Sequence, residues 1–178
     1  MRTIFLLYIF IAFCNSTLFA SEFYVLPKES EKALSSILKS IDHSNQSIKI
    51  TMYNFTHKKI ANRLKDAAKR GVKVEIIFDY KSVHSQKRRS MLYYLAKYKN
   101  ISVYTLKGHY LKKQKRYAIM HLKMALFDKK RVIFGSANWT YSAFGKNFEM
   151  LYVIDDYKIA KKYDKYFQRL MLKSHKFK

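Results

Sequence analysis

Residues 47–79 read SIKITMYNFTHKKIANRLKDAAKRGVKVEIIFD, and the spacing of their apolar positions changes twice. From Ser47 to Tyr53 the side chains of Ile48, Ile50 and Met52 alternate with polar neighbours, the repeat of a strand with those three pointing inward. From Lys58 to Arg70 the apolar positions are Ile60, Leu64 and Ala67, which share one face of a helix, and Gly71 stops it. Val72 to Asp79 is a second strand. The segment thus predicts strand, helix, strand.

Working outward, Glu31 to Ile41 carries Leu34, Ile37, Leu38 and Ile41 on one helical face. Ser85 to Tyr98 reads as a helix, Ile101 to Thr105 as a strand, Phe148 to Ile154 as a strand, and Tyr157 to about Leu172 as a closing helix. Ile119 to Phe127 alternates, with Met120, Leu122, Met124 and Leu126 on one parity and His121, Lys123 and Ala125 on the other. That pattern predicts a strand with one face on a core and with His121 and Lys123 side by side on the other. Arg131 to Phe134 is its hairpin partner across the turn at Asp128, Lys129 and Lys130. Strand–helix alternation followed by a hairpin indicates an α/β fold, an α/β/α sandwich around a central mixed β-sheet. With one Pro, four Gly and no linker or repeat, residues 21–178 read as a single domain.

The stretch HLKMALFDKKRVIFGSAN, His121 to Asn138, sets out His121, Lys123, Asp128, Gly135, Ser136 and Asn138 as H-x-K-x4-D-x6-G-S-x-N. Taken alone, a strand His or Lys is an ordinary surface residue, and Gly-Ser-x-Asn is an ordinary turn. Together they supply one nucleophile or proton carrier, one cation and two neutral polar groups, the set a phosphodiester requires. Lys123, Ser136 and Asn138 would hold the non-bridging oxygens, and His121, titrating near neutrality, can attack phosphorus or protonate a leaving alkoxide. No matching carboxylate cluster accompanies them, which argues against two-metal chemistry, so neither a metal site nor a cofactor is expected.

The motif resembles the HKD signature of the phospholipase D superfamily, and the short chain is similar to that family's small secreted bacterial endonucleases, the Nuc type. Similarity extends from about Ala33 to Ile154. It includes the 47–79 segment with its Arg-Gly-Val and terminal Asp79, and Glu149 in KNFEM. The resemblance implies the phospholipase D/nuclease fold and a metal-independent, two-step hydrolysis through a phosphohistidine. It also implies a second HKD histidine as general acid. This chain has one motif only; His57, followed by Lys58 and Lys59, has no Asp at the right offset. The implied enzyme is therefore a homodimer in which His121 of two subunits shares one site. Glu149 would orient the imidazole, and Asp128, on the parity opposite to His121, would brace the hairpin rather than touch substrate.

Charge narrows the substrate. Lys plus Arg number 36 against 12 Asp plus Glu, a formal net charge of +24, which suits nucleic acid or an anionic membrane surface. Lys112, Lys113, Lys115 and Arg116 lie between Tyr110 and Tyr117, immediately before the motif. Cations beside aromatic rings suit a single strand, with phosphates on Lys or Arg and bases stacked on Tyr. Lys87, Arg88 and Arg89 form a second basic run, which a helix surface explains as well.

Residues 1–20 read as a secretory signal: Met1 and Arg2, then an apolar run from Ile4 to Phe13, about half the length a spanning helix needs. Cleavage is expected after Ala20, with a cut after Ser16 or a retained anchor as alternatives. Cys14, the one cysteine, falls within this segment, so the mature chain has neither disulfide nor zinc finger. An exported protein of the periplasm or outer surface follows. Three functions remain open: a nuclease acting on nucleic acid, single-stranded DNA above all; a phospholipid phosphodiesterase; and a non-catalytic surface DNA-binding protein.

Overall fold

The structure, a computed structural model, describes residues 21–85 and 89–177; the expected signal segment, Lys87 and Arg88 lie outside them. In chain order the elements are β1 (Ser21–Leu26), α1 (Ser30–Asp42), β2 (Ser47–Met52), α2 (Lys58–Lys69), β3 (Lys73–Asp79), α3 (Tyr80–Ser85), α4 (Leu92–Leu95) and β4 (Ile101–Leu106). There follow β5 (Tyr110–Leu111), a 3-10 turn (Lys112–Gln114), β6 (Arg116–Tyr117), β7 (Lys123–Phe127) and β8 (Arg131–Gly135). The chain closes with α5 (Tyr141–Gly145), β9 (Glu149–Asp155), α6 (Tyr157–Met171) and β10 (His175–Lys176).

One eight-stranded sheet runs β1-β9-β8-β7-β2-β3-β4-β10. Strands β2, β3 and β4 are parallel, and every other pairing is antiparallel, so the sheet is mixed as expected. On one face Ile37 and Ile41 of α1 and Ile60 and Leu64 of α2 pack over Ile48, Ile50, Val74, Ile76, Ala125 and Phe127. On the other, Ala160, Tyr163 and Phe167 of α6 cover Ile77, Leu126 and Val132. Each large side chain so buried contributes about 2 kcal/mol. These layers form the α/β/α sandwich that the alternating pattern predicts.

Three expectations need correction. The 119–127 strand has both faces covered, because it lies mid-sheet between the two helical layers, and it begins at Lys123. Upstream, Leu122 still accepts from the Tyr53 N–H at 3.1 Å, but the Met120 N–H turns to the Asp79 carboxylate at 2.8 Å and leaves the ladder. The helix expected over 85–98 is instead α3 and α4. Asp79 starts α3 early, its carboxylate accepting from the Ser82 N–H at 2.7 Å in the manner of a helix cap.

Parallel pairing of β2, β3 and β4 and antiparallel pairing of β7, β8 and β9 bring the carboxyl ends of β2, β3 and β4, the start of β7, the end of β8 and the start of β9 to one edge of the sheet. That edge is where open α/β sheets carry their sites.

His57, at the head of α2, is buried against Tyr141, ring centroids 4.3 Å apart, and its Nδ1 has no partner among the described residues. Burial first and Lys59 second push its imidazole below the ordinary 6.5. Between the two values the unfolded chain binds the extra proton, so this contribution to stability is complete above about 6.5 and is lost as pH falls through the folded value. Denaturant unfolding at pH 8 and pH 5 should show the acid loss, and His57→Gln should flatten it.

Candidate active site

Lys123 opens β7 with its side chain 7% exposed, and its ammonium donates to the His121 carbonyl at 2.8 Å. The cation also lies 5.2 Å from the Tyr53 ring centroid, while the His121 ring meets Tyr53 edge-on at 4.7 Å. Tyr53, one residue past β2, therefore backs both groups. His121 itself is exposed.

Across the hairpin, Gly135 permits a contact that no other residue would: a Cβ there would stand 2.1 Å from the Met150 carbonyl oxygen. This close approach of β8 to β9 sets Ser136 beside Glu149. The Ser136 hydroxyl donates to the Glu149 carboxylate and accepts from the Met150 N–H at 3.0 Å. Asn147 donates to the other Glu149 oxygen at 3.4 Å. Asn138 is fixed differently, its carbonyl oxygen accepting the Asn54 N–H at 3.1 Å, which leaves its NH2 as the free donor end. The amide thus presents N–H groups of the kind a phosphoryl oxygen accepts.

Asp128 stands apart, at the far end of β7. Its carboxylate accepts the backbone N–H groups of Asn45, Gln46 and Ser47, each at 2.9 Å, and so fastens the hairpin turn to the entrance of β2. Five of the six predicted motif and partner residues meet at one edge; Asp128 does not. The hydrogen bonds of Glu149 go to Ser136 and Asn147, and among the described residues none joins it to the His121 ring.

Desolvation, then the Lys123 charge, hold the His121 imidazole below its ordinary value, while Asp79 and Glu149 pull it back up. Burial likewise lowers the Lys123 ammonium, with Glu149 opposing. If neutral His121 is the attacking form, the acidic limb of the rate profile lies below 6.5. Lys123→Gln should shift that limb up in pH and Glu149→Gln should shift it down; pH profiles of kcat/KM on the residual activity check both signs.

The basic segment is a small hairpin, β5 and β6, standing above this edge. Lys112, Lys113, Lys115, Arg116 and Tyr117 are all exposed on it, and the Tyr110 and Tyr117 rings lie 5.1 Å apart. Arg89 of the second basic run is exposed too. The sequence pattern did not pick out Tyr53, and it marked Asp79 only as the end of a strand similar to the family's, not as a residue beside the site. Tyr53 gave no signal as one of 15 tyrosines, whereas Asp79 with Ser82 three residues on is a readable helix cap. Among the described residues no three His, Cys, Asp or Glu side chains cluster as metal ligands.

A family model described as "Cardiolipin synthase, PLD-like domain" matches residues 37–171. Among solved structures, NucT from Helicobacter pylori superposes with a TM-score of 0.86 at 42% identity, covering 89% of this chain and 99% of that one. Nuc from Salmonella typhimurium, a phospholipase D family member, gives 0.75 at 26% identity, covering 90% and 99%. Phospholipase D of Rickettsia prowazekii is 34% identical over 128 residues, 71% of this chain and 57% of that protein. The chain thus spans little more than half the length of that relative. With the one HKD motif lying on the Nuc fold, the chain belongs to the phospholipase D superfamily, as a Nuc-type member.

Proposed function

We propose that this protein is a metal-independent endonuclease that hydrolyses phosphodiester bonds of nucleic acid, single-stranded DNA by preference, through a phosphohistidine on His121. The observation that carries the reading is the convergence of His121, Lys123, Ser136, Asn138 and Glu149 on one sheet edge under a basic, tyrosine-bearing hairpin. In the first step the His121 nitrogen attacks phosphorus, and a protonated imidazole gives its proton to the departing alkoxide. In the second, that imidazole takes a proton from water, whose oxygen displaces the histidine. Lys123 and the Asn138 amide hold the charge that builds on the non-bridging oxygens. Ser136 and Glu149 form a coupled pair at the wall, and Glu149 acts on the imidazole through its charge.

The chemistry uses two imidazoles, and the motif supplies one. We therefore infer a homodimer with His121 of both subunits facing a two-fold axis. Large apolar side chains beside the site suit such a contact: Phe148 is 92% exposed and Met150 50%, with Val25 paired to Met150 on the neighbouring strand. Residues 1–20 are proposed to direct export to the periplasm or cell surface, with cleavage after Ala20 leaving a domain that starts at β1. Mass spectrometry of the mature N-terminus tests that.

A phospholipid phosphodiesterase is the second reading. It draws on relatives named phospholipase D and, in Xenopus laevis, mitochondrial cardiolipin hydrolase, 28% identical over 141 residues. The same charge would hold the protein at an anionic membrane. Incubation with labelled single-stranded DNA, duplex DNA and phospholipid in excess EDTA decides between them. Cleavage of DNA without metal supports the nuclease, turnover of lipid alone supports the second reading, and a requirement for magnesium contradicts the phosphohistidine. Binding without turnover would leave a surface DNA-binding protein.

A further inference from the structure

Beneath the basic hairpin a pocket of about 430 Å³ opens between the end of β3, α3 and the base of β5 and β6. Tyr80, His84, Lys107, Arg116, Tyr117 and Ala118 line it. The Tyr80 and His84 rings stack with centroids 4.0 Å apart at 30°, and the His84 Nδ1 is tied to the Tyr80 carbonyl at 2.7 Å, so His84 backs the Tyr80 ring from behind. Tyr117 stands at the other side, backed by Tyr110. Between them the Lys107 ammonium sits 4.4 Å from the Tyr80 centroid and 5.1 Å from that of Tyr117.

The walls are held by backbone. Gly108 and Ala118 pair at the foot of the hairpin, the Gly108 N–H donating to the Ala118 carbonyl at 3.0 Å. A Cβ on Gly108 would lie 2.5 Å from that carbonyl, so only glycine lets the two segments close this far. Asp79 borders the pocket and also holds the Met120 N–H, one residue from His121. Pocket and site therefore share a wall, yet the phosphodiester chemistry uses none of the ring faces.

Facing rings with a cation between them and Arg116 at the rim suit a flat aromatic group that carries a phosphate close by. We propose that this pocket takes one unpaired nucleobase of the strand, next to the phosphate at His121. The base enters between Tyr117 and the His84-backed Tyr80 ring in place of the Lys107 ammonium, which swings out on its flexible stem to hold, with Arg116, the flanking phosphates. The inference rests on the nuclease reading and deepens it: a base still paired and stacked in a duplex must leave its neighbours to enter, so the pocket selects single strands.

Two measurements test it. First, the full chain carrying His121→Ala binds, without cutting, a single strand whose one fluorescent base is aminopurine. Stacking quenches that base; Tyr117→Ala should weaken binding about tenfold and abolish the quench, while Tyr117→Phe restores both. An unchanged quench in both Tyr117→Ala and Tyr80→Ala overturns the pocket. Second, wild-type protein is given strands with a single abasic position. Bonds beside the missing base should be cut about tenfold more slowly, and the deficit should vanish in Tyr117→Ala. Equal cutting at abasic and normal positions also overturns it. Failure of the wild type to cut any strand would instead sink the nuclease reading, leaving the quench to decide the pocket.

Discussion

His121→Ala is expected to abolish strand cleavage, lowering kcat by at least about 10⁴-fold with little change in binding. The size of the effect follows from two roles lost together. Each shared site would lose both the imidazole that attacks and the one that protonates the leaving oxygen, and neither His57 nor His84 is placed to replace them. His57 is buried against Tyr141, and His84 lies in the pocket wall facing Tyr80. Stability should hardly change, because the ring is exposed and among the described residues its one aromatic contact is the edge of Tyr53. Initial rates on a labelled single strand in EDTA, beside thermal unfolding, separate a chemical from a folding defect. Retained cleavage in a fully folded His121→Ala would remove this residue from the reaction.

Asp128→Ala should do the reverse. Three backbone N–H groups, those of Asn45, Gln46 and Ser47, lose a shared charged acceptor at once. Each bond to a charged acceptor is worth about 1.5–3 kcal/mol, and because the three act as a unit the expected loss of stability is about 3 kcal/mol. The backbone at Asp128 adds to this, since φ is +48°, a conformation that Asp and Asn adopt more readily than Ala. Asp128→Asn keeps an acceptor and the backbone preference and should lose less. Below the melting transition both variants should keep kcat within a few-fold of wild type, since the carboxylate lies at the opposite end of β7 from His121. Denaturant titration and kinetics on the same preparations check the split. A collapse of kcat in folded Asp128→Asn would place the aspartate in the chemistry after all.

Much of this was legible in the sequence because the signals were periodic or fixed in spacing. The strand, helix and strand of 47–79 follow from apolar alternation giving way to helical spacing and back, and the structure places β2, α2 and β3 there within a residue. His121, Lys123, Ser136 and Asn138 were readable because turn and strand geometry fix their offsets. Glu149, thirteen residues after Ser136, needed the family resemblance, since only the pairing of β8 with β9 brings it back. What stayed hidden was set by contacts between distant segments. The escape of Met120 from the ladder depends on Asp79, whose cap of α3 three residues on is local but whose second bond, to a residue 41 positions away, no local pattern reports. Tyr53 is invisible for the same reason: nothing near it in sequence says that β7 will place Lys123 and His121 against its ring. β1 was missed because it adjoins the expected signal segment, and β5 and β6 because strands of two residues carry no period.

The shared half-site is tested most directly by mixing. Wild-type and His121→Ala chains bearing different tags are combined over a range of ratios, allowed to exchange subunits, and assayed at constant total protein in EDTA. With one site per dimer built from two His121 side chains, every mixed dimer is dead. Activity then follows the square of the wild-type fraction, about a quarter remaining in an equal mixture. Activity that falls in simple proportion, with half remaining, would mean that each chain carries a complete site of its own.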